Sequence, residues 1–224
     1  MDQRLVIKET TSGPDPFDNL PTAVQQNVPA WALFGMFFIV VPLSTSVIRE
    51  RREGIVDRLQ TMPVSLLVIL LGKLTAYTCV CMVQFLCIVM VGKWVLPLMG
   101  TDVLVLGDKL PSVALIALCS SLAATGYGIL LGALARTQEQ ATVVGPVTVV
   151  IAAVLGGIMV PVFAMPQMIQ TLSLGSPLAW GHSAFMIVLV RGGSWLAVSG
   201  RMGLLLLFFI LTLLIGGLAI SRRH

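Results

Sequence analysis

The chain has 224 residues, 57% of them hydrophobic and 11% charged, with a formal net charge of +4. Soluble domains average about 45–50% apolar and 25% charged residues, so a water-soluble core is excluded and an integral membrane protein is indicated. The apolar runs are rich in Leu, Val and Gly and show no strand-type alternation, which reads as helices and not as a barrel.

The first 27 residues, Met1–Asn27, are polar, contain Pro14, Pro16 and Pro21, and hold no apolar centre of a signal peptide. An external tail of this kind is usually delivered by a preceding transmembrane segment, so the chain is expected to be the later portion of a longer protein; the alternative is a first span that pulls a short tail across unaided, which the arginine cluster behind it favours. Five apolar runs follow: Val28–Ile48, about Val68–Gly92, Ser112–Ala135, Ala141–Val160 and Met202–Ile220. Each is near the roughly 20 residues a helix needs to cross a bilayer.

Between the first two runs lies Arg49–Ser65, a dense charged segment in a chain with little charge elsewhere. At 100° per residue, Ile55, Leu59 and Met62 share one stripe with Val56 at its edge. Glu50, Glu53 and Asp57 fall opposite, and Arg49, Arg51, Arg52 and Arg58 lie between. The pattern predicts a helix on the membrane surface, with its apolar stripe down, arginines at the phosphates and acids toward water. The alternative is a solvated stop-transfer loop, which Gly54 favours by weakening the helix.

From Gln140 to Val190 there is no Asp, Glu, Lys or Arg, yet Pro146, Pro161, Pro166, Pro177 and Gly156-Gly157 interrupt the stretch. It is too long for one helix. A crossing is predicted to end near Met159-Val160-Pro161, followed by a surface segment, Met165–Ser176, and a short helix, Ala179–Val190. Twelve residues reach only about 18 Å against a core of about 30 Å, so this piece is expected to dip in and leave on the same side. A sixth full crossing is the alternative. The short loops after the first and third runs and the last four residues carry Arg49, Arg51, Arg52, Arg58, Arg136, Arg222 and Arg223. The remaining loops hold Lys93, Lys109, Arg191 and Arg201 dispersed over longer stretches, so the amino terminus is expected outside and the carboxyl terminus in the cytoplasm.

Other signals point to structure. Cys79, Cys81, Cys87 and Cys119 all fall inside predicted spans, where a thiol acts as a small apolar group, and their spacing with His182 and His224 matches no metal site. Gly181-His182-Ser183-Ala184 resembles a hydrolase serine motif, but adjacent helical residues point about 100° apart, so His182 cannot serve Ser183 as a base. His182 reads as a satisfied polar residue beside Trp180. No G-x-x-x-x-G-K-[ST] loop is present, so nucleotide hydrolysis must come from a partner. Lys73 is expected to snorkel to the cytoplasmic surface, with a buried transport role as the alternative. Gly126, Gly128 and Gly132, with Ser120, Ser121, Ala123 and Ala124, form a small-residue face expected to bring subunits into close contact.

Three stretches in order carry a resemblance to the permease subunit of type-2 ABC exporters. They are Val28-Pro29-Ala30-Trp31 through Arg49–Gly54, Asp57-Arg58-Leu59, Met62–Ser65 and Gly72-Lys73; Arg136–Ala141 through Gly156–Pro161 and Met165-Pro166; and Ser176–Trp180 with Arg191-Gly192. Members of that family look like six-span permeases with an external domain after the first span, and this chain matches the part from the end of that domain onward.

The resemblance implies an all-α integral membrane protein of five transmembrane helices, with a cytoplasmic coupling helix and an extracytoplasmic re-entrant helix pair. It divides the chain into an external tail at 1–27 and a permease domain at 28–224. Glu50, Arg51, Glu53, Asp57, Arg58 and Leu59 would couple to the ATPase, and Gly156, Gly157, Pro161, Pro166, Pro177 and Trp180 would form the gate region. The implied partners are an ABC ATP-binding subunit supplying ATP and Mg, a second permease copy or paralogue, the missing amino-terminal permease part and the lipids of a bacterial inner membrane. No cofactor bound by the chain itself and no nucleic acid are expected. The expected function is one half of a dimeric, ATP-driven efflux pathway. A non-transporting scaffold or truncated permease is the alternative, and an intramembrane hydrolase a remote one.

Overall fold

A computed structural model describes residues 22–54, 66–104, 106, 109–160 and 165–221. Thr22 opens the first helix, α1 (Ala23–Phe37): its Oγ1 accepts from the Gln25 N–H at 3.3 Å while the Gln25 side chain accepts from the Thr22 N–H at 3.2 Å. This reciprocal cap satisfies two otherwise orphaned donors and draws the polar residues Gln25, Gln26 and Asn27 into the span, upstream of the expected start at Val28. α2 (Val40–Arg52) continues the same crossing after a break at Phe38 and Ile39. Pro42 has no N–H to give the Phe38 carbonyl, which instead accepts from Val41 at 3.1 Å, and the α-helical bond ladder is interrupted there.

α3 (Leu66–Met90) runs on through a π-helical stretch, Val91–Val95, to Leu98, beyond the expected end at Gly92. Then come α4 (Leu110–Leu134) and α5 (Gln138–Leu155), the short α6 (Gln167–Ser173) and α7 (Pro177–Leu189), and α8 (Trp195–Ser221). α8 begins before the expected Met202. Among the described residues there is no strand, and five segments are long and apolar enough to cross a membrane: Ala23–Arg52, Val68–Leu98, Leu110–Leu134, Gln138–Leu155 and Trp195–Ser221.

α4 is the hub. Of its apolar span 67% is buried, against 22% in each of α3, α5 and α8. Its small residues make this packing possible. A Cβ on Gly128 would lie 2.7 Å from Leu43 of α2, one on Gly132 2.7 Å from Val47, and one on Gly126 2.6 Å from the Thr212 hydroxyl of α8. The stripe is therefore a close-packing face as expected, but its partners are helices of the same chain and not a second subunit.

These contacts also fix the direction of every span. Leu43 meets Gly128, Val47 meets Gly132 and Arg51 meets Ala135, so α2 and α4 run parallel. Thr212 meets Gly126 and Gly216 approaches Leu130, so α8 is parallel to them. α5 is antiparallel to α4, since Gly145 approaches Leu131 and Tyr127 bonds Thr148. α3 opposes α1 and α2, pairing Gly92 with Val28, Gln84 with Gly35 and Lys73 with Glu50. The end of α5 and the start of α8 thus lie at one face of the bundle. α6 and α7, bent by 91° to each other, leave and return to that face. They are a re-entrant pair, and a sixth crossing is excluded.

Substitution on the stripe tests this packing. Gly132→Ala forces Cβ against Val47 and the Ser44 backbone, and should lower stability by about 1–3 kcal/mol, the usual scale of overpacking. Gly203→Ala, which meets nothing within 4 Å, should leave it unchanged. Soluble monodisperse protein remaining after heating in detergent measures both, and equal losses would refute the assignment.

Candidate coupling face and re-entrant gate

The charged residues that close the first span are the last turn of α2 and not the first turn of a separate surface helix. Gly54 follows with φ +66°, a left-handed conformation that turns the chain out of the helix after the Glu53 cap. Asp57, Arg58 and Leu59, with the rest of the expected surface helix at 55–65, lie outside the described residues.

Arg51 was expected at lipid phosphates. Its guanidinium instead reaches the end of α4, donating to the carbonyls of Ala135 at 2.9 Å and of Gly132 and Ala133 at 3.4 Å. Such terminal carbonyls have no partner within their own helix and carry the negative end of its dipole, so a guanidinium fork suits them. Arg52 donates to the Arg136 carbonyl at 3.5 Å. The reversal into α5 is locally built: Thr137 caps it, with Oγ1 accepting from the Gln140 N–H at 3.1 Å, and the Gln140 side chain accepts from the Arg136 N–H at 2.9 Å.

Glu50 does not point outward, as the helical wheel had it. Its carboxylate pairs with Lys73 of α3, and both side chains are largely buried, at 24% and 14% exposure. The Ser46 hydroxyl donates to the same carboxylate at 3.1 Å and accepts from Lys73 at 3.1 Å. Sequence reasoning missed this triad and sent Lys73 to the surface. The available signal was that Ser46 and Glu50, four apart, share a face of α2 near a lone lysine early in the next span. Glu53 is exposed and has no side-chain partner among the described residues, so it remains available to a partner protein.

At the opposite face the expected gate residues come together, except Pro161, which lies outside the described residues. Gly156 caps α5, where a Cβ would come within 3.0 Å of Leu178 and 3.1 Å of the Ala179 nitrogen, and Gly157 turns the chain with φ +76°. Pro166 starts α6 and Pro177 starts α7. The Ser176 hydroxyl donates to the Ala152 carbonyl at 2.8 Å, and Trp180 Nε1 donates to Leu174 at 2.7 Å, fastening the bend. Below it a cavity of about 170 Å³ is lined by Phe37, Tyr127, Thr148, Leu178 and Phe208 among others. The Tyr127 and Thr148 hydroxyls, 2.6 Å apart, are its polar spot.

His182 is buried at 6% exposure, and its Nε2 has no partner among the described residues, a correction to the satisfied histidine expected there. Ser183 donates to the Trp180 carbonyl at 3.2 Å and accepts from Arg201 at 2.6 Å. A hydroxyl held by an arginine has no base to activate it, so nucleophilic chemistry gains no support.

The Glu50–Lys73 pair has a specific energetic signature. Lys73→Met leaves a carboxylate poorly solvated and should destabilise the protein by about 1–3 kcal/mol. Adding Glu50→Gln should recover part of the loss, giving a coupling of about 1 kcal/mol in a double-mutant cycle read by thermal unfolding in detergent. Strict additivity would show that the two side chains do not interact.

Comparison with known proteins places these features in a family. The sequence profile of the ABC-2 type transporter matches residues 15–190. The chain is similar to the linearmycin resistance permease protein LnrN of Bacillus subtilis, at 24% identity over 82% of this chain and 46% of that protein. It is also similar to two Escherichia coli proteins. One is the inner membrane transport permease YhhJ, 29% identical over 70% of this chain and 40% of YhhJ. The other is the probable multidrug ABC transporter permease YbhR, 28% identical over 62% and 36%. The chain spans less than half the length of each of these relatives. With most of its length matched by one profile, and with its spans, arginine-rich face and re-entrant pair arranged as described, the chain belongs to the ABC-2 type transporter family and is a membrane-spanning permease segment.

Proposed function

We propose that this chain supplies half of a dimeric export pathway powered by a separate ATP-binding subunit, which brings the ATP and Mg. The observation that carries the reading is the fastening of the α2 terminus to its neighbours, Arg51 on α4 and Glu50 on Lys73 of α3, in a chain of this family. A push on the segment after Gly54 would then move three spans together and change the packing against α5 and the re-entrant pair. That is a two-state exchange between inward-open and outward-open forms, to which the permease contributes shape and no covalent chemistry.

The arginine-rich face is read as cytoplasmic, in a bacterial inner membrane, with the re-entrant face outside. The transporting unit includes the further permease sequence that the longer relatives carry, a second copy or paralogue, and surrounding lipid. An apolar cavity with one hydroxyl pair suits a lipophilic or amphiphilic cargo, in keeping with the names of the linearmycin resistance and multidrug relatives.

Sidedness is tested by single cysteines in a cysteine-free background. Positions 53 and 138 should label from the cytoplasm only, and 101 and 170 from outside only; the reverse pattern would invert the proposed orientation. Coupling is tested at Glu53. In a complex with the ATPase and the further permease sequence, Glu53→Lys should insert normally yet weaken partner docking about tenfold, the scale of one charge-assisted hydrogen bond. Stimulated ATPase activity and co-purification are the readouts, and wild-type values for both would mean that Glu53 takes no part in docking.

A further inference from the structure

Between α2, α3 and the start of α5, at the arginine-rich face, lies an open groove of about 320 Å³ lined by Pro42, Thr45, Ser46, Arg49, Tyr77 and Gln138. It exists because α3 packs against α1 but diverges from α2 toward this face, where Lys73 and Tyr77 reach back across the gap. Its α2 wall is a single helix face, residues 42, 45, 46 and 49.

Its lining holds one cation, Arg49, and no acid, the exposed Glu53 standing one turn further along at the end of α2. Glu50, behind the wall, is neutralised by Lys73. Arg51 and Arg52 are turned away to the carbonyls at the end of α4. Arg49 is exposed and its guanidinium has no partner among the described residues, and the same holds for the Gln138 amide. The Tyr77 hydroxyl makes only a long 3.5 Å contact to the Pro42 carbonyl and is free to turn. The groove therefore offers a guanidinium fork, an amide N–H and a phenol O–H with no uncompensated acid among them, the donor set that an anionic oxygen group takes. One to two turns further along α3 from Tyr77, Val80 and Val83 are exposed and apolar.

We infer that this groove binds the acidic head of an anionic membrane amphiphile, with the phosphate or carboxylate on Arg49 and its chains along the apolar surface of α3. The site needs neither the ATPase nor transport, so it stands or falls separately from the proposed function.

The test uses this chain in phosphatidylcholine nanodiscs, with trace fluorescent phosphatidylglycerol as the probe and fluorescent phosphatidylcholine as its control. Wild type should retain phosphatidylglycerol preferentially, and Arg49→Gln should lose about tenfold of that preference, the scale of a lost charge-assisted contact. Tyr77→Phe should lose a smaller part. Arg49 makes no side-chain bond within the described fold, so its removal leaves the helices intact. Arg136→Gln, on the same face but outside the groove, should retain the preference. Unchanged binding by Arg49→Gln, or an equal loss in Arg136→Gln, would overturn the site in favour of a diffuse field. Displacement of the probe by equimolar glycerol phosphate would make it a free-anion site, and loss of ATPase co-purification with unchanged lipid binding would assign Arg49 to the protein partner. Either result also overturns the inference.

Discussion

Lipid is as apolar as leucine, so nothing pushes these helices together except close contact and the internal satisfaction of polar groups. α4 answers the first requirement. Its glycines admit Leu43 and Val47 of α2 on one side and Thr212 and Phe209 of α8 on another, at distances no side chain would allow. Two buried hydroxyls of the same helix bond its own backbone, Ser121 donating to Leu118 at 2.8 Å and Thr125 to Ser121 at 2.9 Å, while the Ser120 hydroxyl has no partner among the described residues. Small residues let one helix take several partners, and the parallel run of α2, α4 and α8 follows from which residues meet along it.

Polar satisfaction answers the second requirement, and it is concentrated toward the ends of the spans. Arg51 closes the end of α4, Lys109 donates to the Leu189 carbonyl at 3.3 Å and so joins the start of α4 to the end of α7, and Ser176 holds the bend of the re-entrant pair to α5. Between those layers lie mostly apolar contacts, such as the stacked Phe85 and Phe185 rings 5.6 Å apart that join α3 to α7. The faces are specified by directional bonds and the middle by shape.

That division explains what could be read from the residues alone. Span number, the small-residue stripe and the dipping segment follow from run length, residue size and the twelve-residue limit, all of which are local properties. Partners are not local. Glu50 and Lys73 are separated by the whole segment 55–65, so a helical wheel drawn on one element turned Glu50 to water and the structure turns it to α3. The glycine stripe announced close contact without saying with what, and the chain's own α2 and α8 fill the place given to another subunit. Span ends shifted for a similar reason: the Thr22 and Gln25 cap extends α1 into polar sequence, and the left-handed Gly54 ends α2 inside what had been drawn as one surface helix.

The distribution of bonds also sets which parts can move. α2, α3 and α4 are linked by an arginine on helix carbonyls and by an ion pair, contacts that are lost within a fraction of an ångström to one ångström of misalignment and therefore keep the three together. α5 is held differently, through Ala141, Gly145, Val149 and Ala153, small residues whose shallow contacts resist sliding less than interdigitated large ones. Tyr127 and Thr148 bond it to α4 beside the cavity under the re-entrant bend. On the proposed mechanism, a displacement entering at the α2 terminus would be shared with α4 and would reach α5 through its packing on α2, beside the cavity and the bend fastened through Ser176. The arginine-rich face and the re-entrant face share no side-chain bond among those described, so any action of one on the other in the proposed cycle would have to pass through helix packing, and α5, which lies on α2 and ends beneath the re-entrant bend, is the element that reaches both.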